Sequence, residues 1–324
     1  MTIRAAVQGV GHYLPERVVE NEEFSKTLDT SDEWIRSRTG ISRRHFAADG
    51  QTTSDLATRA AKAALTDAGI SVEDIDAIIL ATSTSDLTFP STATIVQSNL
   101  GMKHGFAYDV QAVCAGFVFA LANANAMILS GQAKRILVIG AETFSRILDF
   151  TDRATCVLFG DGAGAVVLEA VTGGGTSDDK GILSVDLHSD GTHRDLLYVD
   201  GGVSTTGTAG VLKMQGPELF KHAVTKLAET ARASLALAGL NDDDLDWIVP
   251  HQANVRIIAG TAKKLGVPMD RVILTLADQG NTSAASIPLA LSIGKSEGKF
   301  KPGDLLLLEA IGGGLAWGSV VLRW

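Results

Sequence analysis

A gapless internal repeat constrains this chain more than any other feature of its sequence. Residues 61–81 (AKAALTDAGISVEDIDAIILA) align with residues 231–251 (ARASLALAGLNDDDLDWIVPH) at a constant offset of 170, and eight of the 21 pairs are identical. Each copy reads as an Ala-rich helix stopped by Gly, Gly69 or Gly239, followed by an apolar strand. The same offset pairs the apolar run Arg135–Ile139 with Leu305–Glu309, and CAGFVFAL from Cys114 with AASIPLAL from Ala284. Two copies of this helix and strand alternation predict an α/β protein whose sheets are covered on both faces, because the strands are too apolar to meet water. The Gly-, Ser- and Asp-rich stretch 171–181 (VTGGGTSDDKG) reads as the linker. It divides the chain into halves 1–172 and 173–324.

Composition narrows the function classes. With 45% apolar and 20% charged residues, 34 Gly and 7 Pro, the 324-residue chain predicts a compact globular protein. A net charge of −9 opposes broad binding to nucleic acid or to an anionic membrane. Only two cysteines, Cys114 and Cys156, and a first segment without a secretory pattern predict a reducing, cytoplasmic setting without disulfides. No apolar run approaches the roughly 18 residues that span a bilayer, and no His/Cys cluster has metal-ligand spacing. Residues 160–165 (GDGAGA) fit a relaxed dinucleotide fingerprint, but AVVLEA follows where a helix is required. The segment is predicted to be a turn between two strands, and no nicotinamide or flavin is expected.

Four segments carry candidate chemistry. Cys114, in AVCAGF, lies at the expected start of a helix, where unpaired N–H groups and partial positive charge favour a thiolate nucleophile; taken alone it reads equally as a small buried apolar residue. Cys156, in TCVLFG, reads as a small buried residue of an apolar strand. His251 follows the strand WIVP, at a strand end where α/β proteins place functional groups, and its repeat partner is the small Ala81. The loop GNTSAASIP brings Asn281 close to Ala284, the repeat equivalent of Cys114, so a pseudo-twofold packing would bring the Asn281 loop towards the cysteine; taken alone Asn281 reads as an N-cap or turn residue. The triple glycine 312–314 allows close backbone approach, and can offer an N–H to an oxyanion or simply form a tight hairpin.

Taken in order, AVCAGF, FGDGAGA, HQAN, GNTSAASIP and GGGLAWGS resemble β-ketoacyl-acyl carrier protein synthase III, the initiating condensing enzyme of dissociated fatty acid synthesis. The resemblance runs from GVGHYLPERVV to the C-terminal VVLRW. It implies a thiolase-like five-layer αβαβα fold of two duplicated halves, in a homodimer. It further implies that Cys114 takes an acyl group from an acyl-coenzyme A, most simply acetyl. His251 and Asn281 then promote decarboxylation of malonyl-acyl carrier protein, and the N–H groups of Cys114 and Gly313 form the oxyanion hole. The coenzyme is thus a substrate, and no cofactor or metal is implied.

By the same resemblance Trp34, Arg38 and Arg153 hold the nucleotide end of coenzyme A. Lys221, Arg256, Lys263 and Lys264 form the carrier-protein patch, and Phe89 and Ile311 belong to the primer pocket, Phe89 by reaching into the neighbouring subunit's acyl tunnel. Ile311 stands where some members carry an aromatic ring, which leaves propionyl and branched primers open beside acetyl. The nearest rival is a related condensing enzyme of specialised metabolism with another acceptor. A thiolase is disfavoured because Cys156 lies outside the last Gly-rich loop. A papain-like Cys-His-Asn hydrolase is disfavoured by the duplication and by its missing cysteine signature.

Overall fold

The computed structural model describes residues 1–324. The first half builds a five-stranded sheet from β1 (Thr2–Tyr13), β2 (Ala77–Ala81), β3 (Phe106–Val110), β4 (Arg135–Glu142) and β5 (Gly162–Gly173), in the order β1-β5-β4-β2-β3. β2 runs parallel to β3 and β4, while β5 is antiparallel to β4 and β1. The second sheet holds β6 (Gly181–Ser189), β7 (Trp247–Pro250), β8 (Leu305–Gly312) and β9 (Ala316–Arg323), in the order β7-β8-β9-β6. The linker is shorter than its composition suggests, because β5 continues to Gly173 and β6 begins at Gly181.

Main helices are α1 (Asp32–Thr39), α2 (Thr53–Ala68), α3 (Thr92–Leu100), α4 (Gly116–Leu129), α5 (Gly216–Leu237), α6 (Val255–Lys264) and α7 (Ser286–Ser296). Strand parity sorts them into layers. On β2, Ile78 and Leu80 face α2 and α3, whereas Ala77, Ile79 and Ala81 face a central layer of α4 and α7. On β8, Leu306, Leu308 and Ala310 face that same layer, and Leu305 and Leu307 face α5 and α6. The outcome is αβαβα, with α4 and α7 buried between the sheets. No helix is long and apolar enough to cross a membrane.

The repeat extends into capping detail. Gly69 and Gly239 both have positive φ, 68° and 72°, and Ser71 and Asn241 each close a capping box. The Asp76 carboxylate accepts from the backbone N–H of Arg135, and Asp246 accepts from Leu305, again 170 residues on. The symmetry fails at the edge strand β3, whose counterpart the second half reduces to one parallel bridge between Ile248 and Val272.

Two expectations are corrected. Cys156 ends a short helix, Arg153–Cys156, rather than lying in a strand, because Asp152 caps that turn through the N–H of Ala154; it is nevertheless fully buried. The GDGAGA segment is not a turn between strands. Gly160 and Asp161 lead from that short helix into β5, and Asp161 spends its carboxylate on Ser145 and the N–H of Ala47.

Candidate active site

Cys114 sits in a 3-10 turn, Val113–Ala115, that leads into α4. The equivalent turn of the other half, Ser283–Ala285, leads into α7. Residues Val113 and Ser283 both hold φ of 49°, a left-handed conformation that costs a side-chain-bearing residue on the order of 1–3 kcal/mol. Each turn rests on a glycine of the opposite sheet. A Cβ on Gly312 would come within 2.6 Å of the Cys114 nitrogen, and one on Gly140 within 2.2 Å of the Ala284 carbonyl oxygen. Only glycine permits these approaches, so the two halves lock around the cysteine.

His251 leaves the end of β7, its N–H bonded to the carbonyl of Glu309 at 2.8 Å. The ring Nδ1 lies 2.7 Å from the Ser286 hydroxyl at the start of α7. Ser286 accepts from the Gln252 N–H, and Nδ1 is the only acceptor within reach of the hydroxyl proton. That arrangement puts the imidazole proton on Nε2, which bonds to no protein atom. Burial pushes the His251 pKa down to about 3, so the ring is neutral at working pH.

Asn281 is fixed on both sides. Its N–H donates to the Leu158 carbonyl, its carbonyl accepts from Gly160, and its Oδ1 accepts from the Ser283 N–H at 2.9 Å. The side-chain amide therefore turns Nδ2 outward as a free donor. The GDGAGA motif thus serves as a clamp for the Asn281 loop.

Cys114, His251 and Asn281 are only 3%, 5% and 6% exposed, so each is largely shielded from water. Burial pushes the thiol of Cys114 up to about 12. The field of the helix start, expected to favour a thiolate, is outweighed in the resting protein by desolvation. The backbone N–H groups of Cys114 and Gly313 donate to no backbone carbonyl, so both are available.

A cavity of about 890 Å3 reaches Cys114 between Phe144, Ile147, Phe159 and Leu197 on one side and Ser83–Thr88 on the other. Ile311 does not line it. Parity turns that side chain, like Glu309, away from the central layer, and it packs with Ala223, Leu227 and Leu315. Phe89 does not line it either; the ring projects outward, 83% exposed.

At the protein surface, α1 carries Trp34 and Arg38 one turn apart. The Arg38 guanidinium lies 5.1 Å from the indole centroid and that of Arg153 lies 4.7 Å away. Arg153 also bonds to the Asp29 carbonyl. Arg256 opens α6 and donates to the Ser37 carbonyl at 3.0 Å. Lys263 is exposed on the same helix, Lys264 reaches Thr225, and Lys221 is paired with Glu218 at 2.7 Å. The sequence reading missed Ser286 and the buried acid Glu142. Only their place against the site distinguishes them.

Fold and site together define an acyl-transferring condensing enzyme of the thiolase type. Residues 108–191 match the family described as 3-oxoacyl-[acyl-carrier-protein] synthase III, and residues 235–324 match its C-terminal part. The chain is 73% identical over all 324 residues, the full length of both, to the beta-ketoacyl-[acyl-carrier-protein] synthase III of Ruegeria pomeroyi. The crystal structure of 3-oxoacyl-[acyl-carrier-protein] synthase III from Aquifex aeolicus superposes with a TM-score of 0.93 at 46% identity, covering 99% of this chain and 100% of that one. The priming β-ketosynthase of the R1128 polyketide pathway follows at TM-score 0.92 and 34% identity, covering 100% of this chain and 97% of that one. The chain belongs to the β-ketoacyl-[acyl-carrier-protein] synthase III family.

Proposed function

We propose that this chain condenses an acyl-coenzyme A primer with malonyl-acyl carrier protein to give 3-oxoacyl-acyl carrier protein, coenzyme A and carbon dioxide. What supports this mechanism is a buried cysteine in a chain that leaves its own N–H, that of Gly313, Nε2 of His251 and Nδ2 of Asn281 without a protein acceptor. Cys114 attacks the primer thioester, and the N–H groups of Cys114 and Gly313 hold the oxyanion. Nε2 of His251 and Nδ2 of Asn281 then stabilise the enolate oxygen that forms as the malonyl group loses carbon dioxide. The enolate carbon attacks the acyl group on Cys114. No resident cofactor is needed, because thiol and N–H donors supply every step.

Trp34, Arg38 and Arg153 are suited to the coenzyme nucleotide, since guanidinium and indole stack on a base and the guanidiniums bond phosphate. Arg256, Lys263 and Lys264 on α6 offer an acidic carrier protein a local basic face on an acidic chain. Lys221 contributes less, because Glu218 already neutralises it. Charge reversal in Arg256→Glu is expected to raise KM for malonyl-carrier protein about tenfold, with acylation of Cys114 unchanged. Equal loss of both would remove the docking role.

A homodimer is supported by the free edge of β3, where Phe106 is exposed, and by Leu87 and Phe89 exposed beside the cavity. A donor panel of acetyl-, propionyl-, branched and longer acyl-coenzyme A tests primer choice and this assembly together. Acetyl is expected to load fastest. Phe89→Ala is expected to admit longer donors, which a ring pointing out of its own chain can govern only from a neighbouring subunit. Preference for long or branched donors in the native protein would instead favour a specialised condensation.

A further inference from the structure

Glu142 is an acid that the mechanism above does not use. β4 ends on it, it has no solvent exposure, and its carboxyl gathers the hydroxyls of Thr82 and Thr84 at 3.2 and 2.6 Å and the N–H of Ser83 at 3.1 Å. On the other side the Ser283 hydroxyl, two residues beyond Asn281, faces both this carboxyl and the Cys114 thiol. That hydroxyl is buried and completes no hydrogen bond with either.

No cation faces the pair. The groups acting on Cys114 are Ser283, Glu142 and the cysteine's own backbone N–H; those acting on Glu142 are Ser283 and the three residues after β2, so Ser283 is the one donor common to both. Asp161, beside the end of β4, is occupied by Ser145 and Ala47, and His251 is neutral. A hydroxyl has one proton to give. It can steady a thiolate or a carboxylate, and a dry centre without a counter-ion disfavours two anions at once.

We propose that Cys114 and Glu142 compete for one negative charge across the Ser283 hydroxyl, and that the protonated carboxyl of Glu142 is the state in which the enzyme loads its primer. Burial agrees, pushing the carboxyl up to about 7 while the thiol stands near 12. In loading, the bond from Sγ to the acyl carbon forms and the bond to coenzyme A breaks. The departing thiolate takes up the proton that left Cys114, and Glu142 keeps its own. The proposal rests on Cys114 as the nucleophile.

Its test is the rate of iodoacetamide alkylation of Cys114 from about pH 6 to pH 10, read by peptide mapping with buried Cys156 as an internal control. Below neutrality, where both side chains at 142 are uncharged, Glu142→Gln and the native protein are expected to react alike. Above it the variant is expected to run ahead by about tenfold, as its thiol titrates about one pH unit lower. Coincident profiles, or a slower variant, would overturn the proposal. Ser283→Ala gives a second reading, since loss of the shared hydroxyl is expected to slow alkylation at every pH; an unchanged rate contradicts it. Failure of the nucleophile assignment itself would show separately, as native protein that takes no acyl group on Cys114.

Discussion

Cys114→Ala is expected to take up no acyl group and to lose condensation by at least about 10³-fold, yet still to release carbon dioxide from malonyl-carrier protein. The first two effects follow from the absence of another nucleophile at the site: Cys156 is fully buried in its own short helix, and burial pushes its thiol up to about 11. The third follows from how the site is divided. His251 comes from the end of β7 and Asn281 from the loop before α7, each held by its own hydrogen bonds. Alanine keeps the Cβ, so the turn should keep its seat on Gly312. Intact mass and carbon dioxide release read the two halves of the reaction separately. Equal loss of both activities would mean that the thiol also takes part in decarboxylation.

The converse is expected of His251→Ala and Asn281→Ala. Each should accumulate acyl-Cys114 from acyl-coenzyme A while condensation falls about 10²- to 10³-fold, the cost of removing one preorganised donor from a developing oxyanion. The double variant should lose less than the product of the two, because both donors serve one oxygen. Neutrality of the imaginable proton carrier matters here. With the His251 pKa lowered to about 3, the native decarboxylation profile should show no break near the ordinary histidine range. A histidine break near pH 6.5, or failure of either variant to load, would place His251 in a different step.

Much of the architecture was legible in the offset of 170, because backbone geometry repeats with it: the Gly69 and Gly239 stops, the capping boxes, and the Asp76 and Asp246 carboxylates that align each strand pair. The missing fifth strand of the second half was not legible. Val272 begins the apolar run 272–274, and only tertiary packing reduces its pairing to one bridge. Positions of Cys114, His251 and Asn281 could be read from strand and helix ends. Their ionisation could not, since a helix-start field is visible in sequence while complete burial is not. Ser283, Ser286 and Glu142 are ordinary small or charged residues in the chain; they matter because folding sets Ser286 against His251 and brings Ser283 of the second half to Glu142 of the first. Ile311 shows the opposite limit. It is next to a glycine run that reaches Cys114, yet alternation along β8 turns it to the other face.

The most direct test of the central claim is a single-turnover chase. Protein loaded with acetyl-coenzyme A and freed of excess donor is mixed with malonyl-acyl carrier protein, and both proteins are followed by intact mass. If Cys114 carries the primer, the acetyl mass leaves it as a 3-oxobutyryl mass appears on the carrier protein, in equal amounts and with carbon dioxide released. Acetyl released to water without gain on the carrier protein would make Cys114 a hydrolytic centre and contradict the account.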